Sequence, residues 1–323
     1  MLTDDEIAML RFTCDLFFVE ESPLFFLEAE KRSPYNYAEA FSKLESKQVV
    51  DPATFQVTDN ALNRISPITE CDARVIHNYT APQQRQSIDY YLLDEIIVKY
   101  KNQNDDHLMG IDMDIEDFIQ HLGRRLIPRS AAGDMLWVDL TPLEVVAVAI
   151  LLNPLREHPK KPIEQDIQRL PKLVENNQKI IPQSGRSNTL NALGVRTLPR
   201  QQISSGNKDP QTNDAAWEQA LKGLYAKSIL KKWGSETRVN HGFKEFFFSL
   251  DNKEHHSFVR YDFGDDEWFI REATLIPTKG SLYWIGMDKK GLVTVKELDS
   301  DHLHATLLET VGPLKAPPPN LSK

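Results

Sequence analysis

Only two cysteines, Cys14 and Cys71, occur in 323 residues, too few for a disulfide framework. The CxxC, C2H2 and HExxH spacings of metal sites are absent, as are GxSxG, GxxxxGK(S/T) and the dinucleotide-binding GxGxxG. The motif-based routes to hydrolysis, phosphate chemistry and hydride transfer therefore have no support in the sequence. No apolar run approaches the roughly 20 residues that a membrane helix needs. The most apolar stretch, LEVVAVAILL from Leu143 to Leu152, is half that length and reads as a buried helix. The N-terminal MLTDDEIAML is acidic where an export signal would be basic, so a reduced, cytoplasmic setting is expected. Positive charge is scarce as well: 38 Lys and Arg against 47 Asp and Glu leave a net charge of −9. That is the wrong sign for a general nucleic-acid binder.

What the chain does contain is a pattern stated twice. LTDDEIAML from Leu2 and LTPLEVVAV from Leu140 each place a Thr where a helix N-cap belongs and a Glu three residues on. This is the capping-box arrangement, in which the Thr oxygen and the Glu carboxylate each accept from an orphan backbone N–H. Pro142 at the first helical position fits the same start. Three further matches follow in the same order. YAEAFSKLESKQVV from Tyr37 shares its apolar spacing with WEQALKGLYAKSIL from Trp217. DYYLLDEIIV from Asp89 parallels EWFIREATLI from Glu267, and DMDIEDFIQHL from Asp112 parallels ELDSDHLHATL from Glu297. In the last pair Phe118 and Leu122 fall on Leu303 and Leu307, behind acidic residues suited to a helix N-terminus.

An internal duplication is expected on this basis. The fold class is α+β: two pseudo-twofold lobes, each of helices plus an antiparallel sheet, with a winged-helix-like N-terminal start. The expected divisions are an N-terminal lobe over 1–130, the first helix of the second lobe over 134–152, an insertion over 153–213, a C-terminal lobe over 214–312 and a disordered tail over 313–323. The insertion is rich in Pro, Gln, Asn and Ser and nearly free of aromatics, which is linker composition. IDYYLLDEIIVKY and FKEFFFSL read as strands from their aromatic and β-branched content. Hairpins are expected around Phe263-Gly264-Asp265-Asp266 and Asp288-Lys289-Lys290-Gly291.

Candidates for chemistry are few. Asp265 and Asp266 could hold a metal but suit an Asx turn better. His255 and His256 fall on opposite faces of a strand, and His302 and His304 diverge on a helix, so neither pair has ligand spacing. These histidines are expected to be solvated. No catalytic residue, metal site or cofactor is expected. A winged helix that reads DNA would use Tyr37 to Gln48, where Lys43 and Lys47 are offset by Glu39 and Glu45; the would-be wing adds Asp51, Asp59 and Arg64. The insertion is basic, with ten Lys and Arg against five Asp and Glu. It is expected to be solvated, or else to fold over an acidic lobe or over a partner. On a strand, Phe246, Phe247 and Phe248 could not all face one core. The second face is either covered by the other lobe or offered to a partner, and in the latter case Phe246, Phe247 and Phe248 with Trp268 and Trp284 form the expected partner-binding set.

DLTPLEVVAVAILL, together with VRYDFGDDEWFIRE and LYWIGMDKKGLVTVKELDSDHLHATLLETV, resembles the EspG family, the cytoplasmic chaperones of type VII secretion. That resemblance implies a quasi-twofold α+β fold without catalytic residues, and a secreted helical dimer as the partner. The resulting expectation is a non-enzymatic cytoplasmic chaperone or adaptor with a protein partner and no membrane insertion. The alternative is a winged-helix regulator or defence-associated protein that touches nucleic acid.

Overall fold

The computed structural model describes residues 1–14, 16–25, 37–103, 106–110, 113–126, 135–157, 210–250, 254–263, 268–287 and 292–312. The first half runs β1 (Leu2–Thr3), α1 (Asp4–Thr13), α2 (Tyr37–Ser46), α3 (Asp59–Thr69), β2 (Ala73–Ala81), β3 (Gln84–Leu93), β4 (Ile96–Gln103), β5 (Asp106–Met109), β6 (Met113–Asp114) and α4 (Ile115–Arg125). The second half runs β7 (Trp137–Leu140), α5 (Pro142–Glu157), α6 (Pro210–Ala226), β8 (Leu230–Trp233), β9 (Glu236–Val239), α7 (His241–Ser249), β10 (His255–Phe263), β11 (Trp268–Pro277), β12 (Leu282–Met287), β13 (Val293–Leu298) and α8 (Ser300–Val311). It follows the same order, except that a β8–β9 hairpin precedes its third helix and the single strand β13 stands where the first half has β5 and β6.

Both capping boxes form. Glu6 accepts from the Thr3 N–H at 2.7 Å and Glu144 from the Thr141 N–H at 2.7 Å, while each Thr hydroxyl accepts in return from its Glu N–H. Each Glu is buried and takes a lysine from the end of the following helix, Lys47 at 2.6 Å and Lys227 at 2.5 Å. The turns after α2 and α6 also match. Gln48 and Ser228 both have positive φ, 58° and 59°. Val49 and Ile229 both return an N–H to the carbonyls of Leu44 and Leu224.

Eleven of the described strands form one antiparallel sheet whose path is a palindrome, β1-β5-β4-β3-β2-β10-β11-β12-β13-β7, with β6 beside β4, while β8 and β9 pair as a separate two-stranded sheet. Each half contributes the same sequence of strands from its edge to the centre, and β2 meets β10 there. Register carries the equivalence inward. Leu2 opposes His107 as Leu140 opposes Val293, and Ile97 opposes Met113 as Leu282 opposes Leu298. Continued to the centre, the same steps bring Val75 onto His256 and His77 onto Phe258. His77 and Phe258 are themselves Cα partners, so the pseudo-twofold passes through this pair.

The core has three parts. Helices α1, α2 and α3 cover one face of the first half, around Leu10, Leu44, Ile68, Tyr91 and Val98. Helices α5, α6 and α7 cover the same face of the second half, around Val148, Leu224, Phe246 and Ile285. On the other face α4 and α8 pack side by side over the middle of the sheet, with Phe118, Ile119, Leu303 and Leu307 against Val75, Leu92, Phe258 and Leu275. The two halves thus share a sheet and a central core.

Several expectations need correction. FKEFFFSL lies in helix α7, because Phe243, Phe246, Phe247 and Leu250 recur at helical spacing and are all buried, and Asn240 caps the start. IDYYLLDEIIVKY holds parts of two strands, β3 and β4, with a turn at Asp94, whose φ of 53° is one that Asp tolerates. The strand equivalent to β11 is therefore β3, in a register that places Asp89 on Thr274. Helix α5 continues to Glu157 and α6 starts at Pro210. The insertion's linker character, the tail over 313–323 and the turn residues Gly264–Glu267 and Asp288–Gly291 lie outside the described residues. The strands flanking both turns do pair as antiparallel neighbours. The expected wing is reduced to a single bridge, Val50 to Val57, followed by α3.

Candidate partner-binding surface

Strand alternation sends Ala73, Val75 and His77 of β2 toward α4 and α8, and Arg74, Ile76 and Asn78 to the opposite face. On β10 the same alternation turns Ser257, Val259 and Tyr261 to that opposite face. These six oppose one another directly, as Arg74 with Tyr261, Ile76 with Val259 and Asn78 with Ser257. All six are half-buried. Helix α3 rests on β3 and β4, and α7 packs on Tyr283 of β12. Among the described residues no helix packs substantially on β2 or β10 from this side. The result is a strip of open sheet along the pseudo-twofold, between the two helical layers.

The strip combines an apolar centre with polar ends. Ile76 and Val259 meet in the middle. Ser257 lies 3.2 Å from the Thr274 hydroxyl at one end. At the other, Arg74 donates to Asp89 at 3.1 Å and covers the Tyr91 ring at 5.7 Å. Arg74 Nε is buried and has no acceptor among the described residues. A buried donor left unpaired costs on the order of 1–3 kcal/mol, so this one calls for an acceptor from elsewhere.

Beneath the strip, the seam's inner face is closed. His77 stacks on Phe258 with centroids 4.5 Å apart, and its Nε2 lies 3.0 Å from Nδ1 of His256, which also meets the Tyr79 ring. His256 is therefore buried, not solvated as expected. His255 is half-buried, and burial lowers its pKa. His302 and His304 are exposed, with Asp299 at 2.6 Å and Glu116 at 2.7 Å respectively. On the inner face of β10 and β11, Arg260 and its cross-strand neighbour Arg271 share Asp262 and donate to the carbonyls of Val311, Glu309 and Gly312, which fixes the end of α8 to the sheet.

The expected partner set is not brought together. Phe246 and Phe247 are 0% and 1% exposed and belong to the core around α7. Phe248 is half-buried under Lys244, 5.7 Å from its ring. Trp284 is buried on the other face of the sheet, and its indole N–H donates to Thr310 at 3.1 Å. Trp268 opposes Phe263 in β11, and its side chain lies outside the described residues. Sequence reading missed the central strip because its residues are unremarkable in type. Only the meeting of β2 with β10, strands about 180 residues apart, gives them a common face.

Several groups that could support other chemistry are occupied or buried among the described residues. Among the described residues no three His, Cys, Asp or Glu are placed to hold a metal. Burial pushes the Cys71 thiol up to about 12, which removes it as a nucleophile at neutral pH. Lys43 lies 2.7 Å from Glu39, and Lys47 is taken by Glu6 and the Met1 carbonyl. Both cations of the would-be recognition helix are thus paired within the chain. Among the described residues no helix is long and apolar enough to cross a membrane.

No family model and no curated protein matches the chain. Among solved structures it is similar to the Mycobacterium tuberculosis type VII secretion system chaperone EspG5, determined in complex with a PE25–PPE41 dimer. The identity is 10%, the match covers 98% of this chain and 97% of that one, and the TM-score is 0.48.

Proposed function

We propose that the chain is a non-catalytic, cytoplasmic protein-binding adaptor or chaperone whose partner seats on the open strip between β2 and β10. The observation that carries this reading is the strip itself. Six half-buried residues in three opposed pairs lie on a sheet face that the described helices leave uncovered, beside a buried Arg74 Nε that has no acceptor among the described residues. An apolar centre with polar ends is the usual composition of a specific protein interface. The sequence resemblance to the EspG chaperones gives the partner a class, a secreted helical dimer. A winged helix that binds nucleic acid has less support, since Lys43 and Lys47 are both held by carboxylates.

The test is quantitative co-purification of the native chain and of Val259→Glu from the same cells. The expected result is a small set of proteins retained by the native chain and lost from the variant, with the variant's melting temperature nearly unchanged. Equal retention by both would overturn the assignment of the strip.

A further inference from the structure

We infer that the free edge of β7 accepts a short, extended, basic segment of a partner protein as an added strand. Strand β7 ends the sheet path, and among the described residues no strand pairs with its outer side. The ladder tells which backbone groups face outward. Glu297 donates its N–H to the Leu136 carbonyl at 2.7 Å, so Leu136 and Glu297 are a bonded pair. Bonded and non-bonded pairs alternate in an antiparallel ladder. Val138 and Leu140 therefore bond to β13, while the N–H and C=O groups of Trp137 and Asp139 point away from it.

The side chains at the same two residues supply the specificity. Val138 and Leu140 are buried under α5, whereas Trp137 is 69% exposed and Asp139 is exposed. Trp137, Lys296 and Trp284 oppose one another in a row across β7, β13 and β12. Lys296 lies 4.8 Å from both indole rings and 3.7 Å from Glu309. One side of the Trp137 ring is thus already used by a cation, and the exposure of the residue leaves room for a second cation on the other side. Asp139, two residues along on the same face, accepts from the Thr294 hydroxyl at 2.6 Å, its one side-chain partner among the described residues, and adds a negative charge. A Lys or Arg on an added strand would meet both.

Area decides between a flexible segment and a second copy of the chain. Four residues at about 3.3 Å each make an edge of about 13 Å. Two globular copies meeting only there would bury far less than the roughly 1,200 Å² of a stable dimer. An extended segment needs no such area, because main-chain bonds to Trp137 and Asp139 supply its register.

The test uses the full chain and three fluorescein-labelled hexapeptides. They are alternating Lys-Val, the same peptide N-methylated at alternate residues, and alternating Glu-Val, titrated by anisotropy. The Lys-Val peptide should bind, Asp139→Asn should weaken it about fivefold, and Trp137→Ala should weaken it about tenfold. Both changes are at exposed side chains, and circular dichroism checks that the fold is kept. The N-methylated and Glu-Val peptides should bind at least tenfold more weakly. Equal binding of the N-methylated peptide, equal binding of the acidic one, or no binding of any would each overturn the proposal. So would a concentration-dependent dimer that Trp137→Ala abolishes, because the occupant would then be a second copy.

Discussion

Lys47 and Lys227 stand 180 residues apart in sequence and make the same ion pair, each with the buried Glu of its own half's capping box. The carboxylate in each case also caps the helix that follows its Thr. Gly223 makes room for this in the second half, since a Cβ there would stand 2.0 Å from Glu144 Oε1. Lys47→Met and Lys227→Met should each cost about 2–3 kcal/mol, below the 3–5 of a fully buried pair because both lysines remain partly hydrated. Gly223→Ala should destabilise too, although Ala gains about 1 kcal/mol of helix propensity over Gly. Urea unfolding measures all three, and losses at the two lysines that differ by more than about 2 kcal/mol would contradict their equivalence.

The turns after α2 and α6 each place a side chain in the left-handed region, at Gln48 and Ser228. That region costs an L-residue roughly 1–2 kcal/mol, and Gly is free of the penalty. Gln48→Gly and Ser228→Gly should therefore each stabilise by about 0.5–1 kcal/mol, after the extra backbone entropy of Gly is subtracted. Thermal melts give the sign directly.

The first half holds a buried network that the second lacks. His107 lies between Tyr100, at 2.8 Å, and Asp4, at 2.7 Å, and all three are buried. Burial pushes the Tyr100 hydroxyl up to about 12, so it meets His107 as a neutral phenol. The equivalent positions in the second half hold Ile285, Val293 and Pro142. His107→Val alone should cost about 3 kcal/mol, because it removes a partner from a buried carboxylate and from a buried hydroxyl. Adding Tyr100→Ile and Asp4→Ala, which imitates the second half, should recover at least half of that loss. A triple variant no more stable than the single one would contradict the account.

Phe246→Ala and Phe247→Ala should each cost about 3–5 kcal/mol, since both are deep in the core. Phe248 is half-buried, and its replacement should cost about 1 kcal/mol. Denaturant midpoints separate the classes. Two of the three behaving as surface residues would refute the helical placement of the triplet.

Much of this was legible in the sequence. The capping boxes at Thr3 and Thr141 announced two helix starts, because the Thr–Glu spacing is a local chemical requirement. The acidic caps before α4 and α8 were readable too, and Asp114 and Asp299 accept from the N–H groups of Asp117 and His302. Aromatic content misled at Phe246–Phe248, where the 243, 246, 247, 250 spacing outweighs β-propensity. The strip between β2 and β10 was not legible at all. It depends on the pairing of Ile76 with Val259, which no local pattern encodes.

The strip is tested most directly by photo-crosslinking in cells. p-Benzoylphenylalanine would be placed singly at Asn78, Ser257, Glu116 and Lys232, the last two being exposed sites away from the seam. The account predicts that Asn78 and Ser257 capture the same protein and that Glu116 and Lys232 do not. Capture of that protein from Glu116 or Lys232, with none from the two seam positions, would contradict it.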